Sequence, residues 1–400
     1  MDIKEISAKK VYDSRKELTV CVYVRTEAGS FLTSSPSGKS KGRHETPAFA
    51  HNVDESIKLL EKLSGKIKGM RIEQFSDLEK IESIIKKNEI GANTLYALEA
   101  SSLKALAYEQ KKRLWELLIE DAGKNTGKRM PFPVGNIIGG GVHTSGINGR
   151  RANFQEFLII PKAGKFSDNV EIMKKAHVLA KDKLKRRKGL GSLNDENAWS
   201  TRLNDESCLD VLNEVRNNLE GEKGVKVDIG VDIAASGFYS PDIYQYKNPE
   251  MLLSSKEQLN YIHGLINTFN VFYVEDPFNE DDFKSFKDLR EKSGQTPLIV
   301  GDDLTVSQTE RFIHALKNKS IDAVIIKPNQ NGSLLEIKKL IDMAKKYKII
   351  TIMSHRSRET TDSTIADLAF GWQADYIKTG VMGAEREAKL KRLVEIEKSV

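Results

Sequence analysis

From about residue 225 onward, short apolar runs alternate with longer segments whose apolar residues recur every three or four positions. The runs are VKVDIGVD ending at Asp232, VFYVED from Val271, PLIVGDD from Pro297, AVIIKP from Ala323, IITIMSH from Ile349 and YIKTG from Tyr376. Between them lie stretches such as KEQLNYIHGLINTF, VSQTERFIHALKNK and NGSLLEIKKLIDMAKKY. The short runs read as strands, and the three-and-four spacing places apolar side chains on one face of a helix. This alternation predicts a parallel sheet joined by right-handed crossovers. Val271, Phe272, Tyr273 and Val274 form a run without a polar member, the pattern of a strand covered on both faces. Pro277, which has no N–H to give a ladder, ends it.

Polar residues fall where these strands stop. Asp232, Glu275, Asp302, Lys327, His355 and Lys378 each stand at or near the carboxyl end of one run. In a closed (β/α)8 barrel such positions converge on one mouth. An open doubly wound sheet would spread them along an edge, and no G-x-G-x-x-G turn follows a strand near the start of the region. Three carboxylates in one mouth repel unless a cation lies between them, and an all-oxygen ligand set suits Mg2+ better than zinc. A lysine whose pKa is depressed by burial and positive neighbours can act as a base. Together these groups suit removal of a proton from a carbon next to a carboxylate, with a divalent metal stabilising the charge that develops. Glu275 is then expected to be a metal ligand on a buried strand, and Asp276 a group that fixes the loop.

Composition adds limits. A chain of 400 residues, 39% hydrophobic and 30% charged, is ordinary for a soluble protein with a large core and a second unit. No apolar run approaches the roughly 20 residues needed to cross a bilayer, and MDIKEISAKK has no signal core, so a cytoplasmic protein without membrane partners is expected. Cys21 and Cys208 have no ligand spacing and read as thiols in a reducing compartment. The net charge of +6 raises the question of nucleic acid. The basic run KDKLKRRKGLG lacks interleaved aromatics for stacking and reads as a solvated helix face, so no specific nucleic-acid partner is expected. A basic surface also favours a small anionic substrate.

The sequence resembles the enolases, or phosphopyruvate hydratases. The likeness runs through VYDSR, PSGKSKG, IGANTLYALEAS, NIIGGGVH, FQEFLIIP, DENAW, VDIAASGFY, VEDPFNEDDF, IVGDDLTV, IIKPNQNGSL, MSHRSRETTDSTIADL and IKTG, in that order. It implies an α/β protein: a smaller N-terminal α+β domain over residues 1–130, then an enolase-type (β/α)8 barrel over 131–400 whose first strands depart from simple alternation. The join is expected near GKRMPFPVG, at residues 127 to 133. The implied reaction is the reversible dehydration of 2-phospho-D-glycerate to phosphoenolpyruvate. Asp232, Glu275 and Asp302 are the implied ligands of a tightly held Mg2+, and Ser40 a contributor to a second Mg2+ bound with substrate. Lys327 is similar to the family's base, Glu196 to its acid and Glu156 to the acid's companion. Lys378 would touch the substrate carboxylate, while Arg356 and Ser357 would hold the phosphate. His143, Gln155 and His355 would line the pocket. A homodimer is implied, since enolases are usually dimers and some assemble into octamers.

Several loops depart from the family pattern. DSRGNPT is here DSRKELT, and PSGASTG is PSGKSKG, which adds Lys39 and Lys41. TPAFAHN replaces the usual continuation after Glu45, and TSGINGRRANF between His143 and Gln155 is a few residues longer than usual, with Arg150 and Arg151 inside it. The alternative expectation is therefore an enolase-like lyase acting on a related small anionic 2-substituted acid. An inactive homologue is disfavoured, because no identified catalytic position is neutralised.

Overall fold

The computed structural model describes residues 1–38, 42–121, 128–144 and 149–400. The chain opens with an antiparallel sheet of β1 (Glu5–Tyr12), β2 (Leu18–Thr26) and β3 (Gly29–Ser34). The helix Ala92–Glu109 packs against β2 and β3 and is buried over most of its length. A helix enclosed on all sides needs its polar groups satisfied from within. Accordingly Ser101 Oγ donates to the Val22 carbonyl at 3.0 Å and Ser102 Oγ to that of Leu98 at 2.9 Å.

The larger sheet is built from β4 (Phe132–Gly139), β5 (Glu156–Pro161), β6 (Leu190–Leu193), β7 (Trp199–Thr201) and β8 (Val227–Asp232). After a small sheet of β9 (Tyr239–Ser240), β10 (Ile243–Lys247) and β11 (Glu250–Leu253), it continues with β12 (Tyr273–Glu275), β13 (Leu298–Gly301), β14 (Ala323–Ile326), β15 (Ile350–Ser354) and β16 (Tyr376–Lys378). Eight of these strands close into a barrel in the order β4, β5, β8, β12, β13, β14, β15, β16, with β16 pairing back to β4. The expected barrel is therefore present. Strand β5 runs antiparallel to both its neighbours, and the pairs from β8 round to β4 through β16 are parallel.

Both faces of the barrel strands are covered. Val134, Leu158, Ile160, Tyr273, Val300, Ala323, Ile325, Ile352 and Tyr376 form one cluster within the barrel. Their strand neighbours, such as Val324 and Ile326, belong to the outer core against the helices. This explains the uninterrupted apolar runs. Cys21 and Cys208 are buried free thiols.

The N-terminal helical layer meets the barrel at close range. The Asn329 amide donates to Asn93 Oδ1 at 2.9 Å, and the Leu334 amide to Glu99 Oε2 at 2.6 Å. Gly332 has φ +96°, and a Cβ there would lie 2.7 Å from Ala92 Cα. Gly332→Ala is thus expected to combine left-handed strain with a backbone clash and to cost about 2–5 kcal/mol. A lowered urea-unfolding midpoint checks this; an unchanged midpoint would show that the two segments part freely.

Candidate functional site at the barrel mouth

Strand direction explains how the site is assembled. Asp232, Glu275 and Lys378 are the last residues of β8, β12 and β16, while Asp302, Lys327 and His355 follow β13, β14 and β15 directly. All six come to the same mouth, as the alternation predicts. Because β5 is reversed, its first residue, Glu156, reaches that mouth and sits opposite Asp232 in the ladder. Glu196 comes from the tight turn between β6 and β7, and His143 from the short turn Gly141–His143 after β4.

Lys378 is the hub. Its Nζ lies 3.0 Å from Glu156 Oε2, 3.2 Å from Asp232 Oδ2 and 2.9 Å from Glu275 Oε1. Tyr273 donates its hydroxyl to Glu275 Oε2 at 2.5 Å, and the Gln155 amide donates to Asp232 Oδ2 at 3.2 Å. Lys327 pairs with Asp302 Oδ2, while the other oxygen, Oδ1, is buried without a hydrogen bond. Asp276 accepts from the Asp302 and Asp303 amides at 2.9 and 2.7 Å, and so fixes the loop after β13.

Glu196 faces two imidazoles: its carboxylate oxygens lie 3.7 Å from His143 Nδ1 and 3.9 Å from His355 Nε2. Asn136 donates to it at 3.0 Å. Arg356 points its Nη2 at both Glu45 oxygens, at 3.1 and 3.0 Å. Ser357, Lys327, Glu196 and Lys378 line the same small pocket. A cavity of about 570 Å3 lies beside it, sharing Gln155 and Asp303 with the charged pocket.

The altered loops divide in their outcome. Lys39, Ser40 and Lys41 lie outside the described residues. Arg150 is exposed, and Arg151 donates to the Thr144 carbonyl at 2.7 Å, closing the base of the longer loop. Sequence reasoning did not find Tyr273, Asn136 or Glu45 as partners of site residues. Tyr273 carried a signal, since a residue two positions before Glu275 shares its strand face. Asn136 and Glu45 carried none.

Burial, then the Asp232 charge, pushes the Glu275 carboxyl up to about 8, with Lys378 pulling the other way. Burial and the Glu196 charge push Glu156 well up. Burial disfavours the Lys378 ammonium, but Glu156, Glu275 and Asp232 outweigh it and hold Lys378 far above the usual lysine value. Lys327 departs from expectation. Burial acts downward, but Asp302 raises the ammonium's pKa overall. The expected depression requires a positive neighbour, and the nearest group here is an anion.

For Glu196, burial acts upward while His355, His143 and Arg386 pull its carboxyl well below the usual range. Burial and Arg386 in turn hold His355 far below its usual value.

A divalent ion fits this donor set. Glu275 is pushed up by burial and then by the Asp232 charge, and Asp302 keeps a buried oxygen unbonded. The donors are all oxygens, as hard cations prefer. Among the described residues two further compact groups could hold an ion, His143 with Glu156 and Glu196, and Asp276 with Asp302 and Asp303. The Asp276 oxygens already accept backbone amides, just as the Glu275 oxygens accept from Lys378 and Tyr273.

Family models described as the enolase N-terminal domain and the enolase C-terminal TIM barrel domain match residues 3–118 and 127–400. The chain belongs to the enolase family. It is 36% identical to the enolase of Methanosphaera stadtmanae, with 100% of this chain and 97% of the relative covered. The enolase of Pyrobaculum aerophilum is 36% identical over 99% of this chain and 96% of its own, and that of Natronomonas pharaonis 35% over 99% and 98%. Among the described residues, no helix of this enolase-family chain is long and apolar enough to cross a membrane.

A pH dependence follows from Glu275. Its folded-state pKa is raised, so its contribution to stability is full below about 4.5 and is lost as pH rises through about 8. An ion binds the carboxylate, not the acid, and therefore restores more at high pH. The rise in melting temperature on adding a fixed concentration of Mg2+ is expected to be larger at pH 8.5 than at pH 6. Equal rises at both would remove Glu275 from the ion's ligands.

Proposed function

We propose that the residues at the barrel mouth carry out the enolase reaction with Mg2+ as the ion. The chain is a hydro-lyase that interconverts 2-phospho-D-glycerate and phosphoenolpyruvate. The observation that best supports the division of labour is that Lys327 and Glu196 line one small pocket with Lys378 between acids, so that a base and an acid address the same small substrate.

Asp232, Glu275 and Asp302 would hold Mg2+, which supplies positive charge at the substrate carboxylate when bound. Ser40 would contribute to a second ion that arrives with substrate. Lys378 stays charged among its three acids and offers the carboxylate a fixed cation. Arg356 and Ser357 hold the phosphate, for which a planar guanidinium is well shaped. Lys327 takes the C2 proton on Nζ. It must arrive neutral, which requires that the Asp302 charge be shared with another cation. Glu196 would give a proton to the departing C3 hydroxyl. Its own carboxyl is held low, so the proton has to be supplied to it, and its companion Glu156, pushed well up, is the carboxyl that holds one. His143, His355 and Gln155 complete the lining. The hydrogen bond from Arg151 to the Thr144 carbonyl supports a loop-shaping role for that arginine. A cytoplasmic homodimer, the usual assembly of enolases, is the proposed state.

Two experiments test these roles. Lys327→Ala should abolish exchange of the C2 hydrogen of 2-phosphoglycerate with deuterated water, whereas Glu196→Gln should keep exchange and lose dehydration. Exchange that persists without Lys327 would give the proton to another group. Separately, Asp302→Asn should weaken Mg2+ binding by about 100-fold or more in calorimetry and remove phosphoenolpyruvate formation, where the unaltered enzyme turns over at roughly 1–1,000 per second. Undiminished Mg2+ affinity would exclude Asp302 as a ligand.

A further inference from the structure

Arg386 lies in the first turn of the helix Ala384–Glu397 and is 0% exposed. Helix electrostatics do not account for it, since a cation belongs at the other end of the helix dipole. A buried guanidinium is costly unless its donors are satisfied. Its partners are three backbone carbonyls: Arg356 at 3.0 Å, Ser357 at 2.7 Å and Asp195 at 3.4 Å. Two of these belong to the proposed phosphate grip, and the third is the neighbour of Glu196.

The turn that carries Glu196 closes on itself. The Asn194 side chain accepts from the Glu196 and Ala198 amides at 3.0 Å, and the Asn194 amide donates to the Ala198 carbonyl at 2.9 Å. Such a turn is rigid inside, yet its placement over the pocket must come from elsewhere. Arg386 supplies one fastening. The start of the same helix supplies another contact: a Cβ on Gly383, φ +99°, would fall 2.2 Å from Asn197 Nδ2.

A second fastening comes from the first sheet. Arg15, in the turn between β1 and β2, forms an ion pair with the Asp195 carboxylate. The adjoining Ser14 amide donates to the Glu359 carbonyl at 2.8 Å, and Glu359 accepts from the Arg356 amide at 3.0 Å. The carbonyl of Asp195 is thus held from the barrel helix and its carboxylate from the N-terminal sheet.

We infer that Arg386, together with the Arg15–Asp195 pair, is a positioning device for the dehydration step, locking the turn that carries the acid to the backbone beneath the phosphate grip. The inference rests on the roles proposed for Glu196, Arg356 and Ser357. It gives the N-terminal sheet a part in placing the acid. Proton abstraction at C2 is left to Lys327, on the other side of the barrel mouth, and does not depend on this lock.

Arg386→Lys keeps the charge and loses the three-carbonyl fork. At saturating 2-phosphoglycerate and Mg2+, its phosphoenolpyruvate formation is expected to fall by about 10- to 100-fold, while C2 hydrogen exchange stays within about threefold of the unaltered enzyme. A merely structural role would lower both together. Parallel loss, or no loss in either, overturns the inference. If Arg386→Lys does not fold, Asp195→Asn, which keeps the carbonyl and removes the Arg15 ion pair, should show the same split, and its absence there is equally decisive. An unaltered enzyme inert in both assays would overturn the functional reading and this inference with it, whereas an active enzyme with evenly impaired variants overturns the lock alone.

Discussion

The arrangement of the mouth depends on one electrostatic constraint: Glu156, Asp232 and Glu275 are brought together by strand pairing, and their charges cannot be left uncompensated in a buried place. Lys378, at the end of the strand that closes the barrel, answers that constraint by placing one ammonium against all three. Its own protonation is secured by the same acids that burial would make unfavourable. The closed barrel is what permits this, because β16 and β8 are not adjacent strands and meet only across the mouth.

The same economy appears in the outer groups. Tyr273 and Asp276 lie close to Glu275 along the chain but serve different ends: one donates a hydrogen bond to the carboxylate, the other accepts hydrogen bonds from the amides of the next strand's loop. Short strands can therefore carry precise functional geometry, with the precision coming from neighbours on either side of the strand end. Arg356 finds Glu45 as a partner in the same way, from a segment far away in sequence.

The barrel was legible in the sequence because each barrel strand from β8 onward ends at or just before a polar residue, and from Glu275 on these residues are spaced by about one βα unit. Asp232, Glu275, Asp302, Lys327, His355 and Lys378 could be gathered on that ground alone. Glu156, Glu196 and His143 could not. Glu156 begins a reversed strand and Glu196 sits in a turn, so neither follows the rule that places groups at carboxyl ends; they came through family resemblance. The contact of Lys327 with Asp302, which holds the ammonium up, was not foreseen, because spacing does not encode which side chains pair across neighbouring strand ends. Arg386 offered no periodic signal either, since its partners are main-chain carbonyls of three distant residues.

The reversed strand has a further consequence for the longer loop before it. Asn153 donates to Asp205 and to the Asn248 carbonyl at 2.7 Å, the Phe154 amide donates to Asp205 at 2.9 Å, and the Gly141 amide donates to the Ala152 carbonyl at 3.0 Å. These contacts tie the chain down at Ala152, Asn153 and Phe154 before it reaches Gln155 and Glu156, so the position of that carboxylate is set independently of the length of the segment ahead of them.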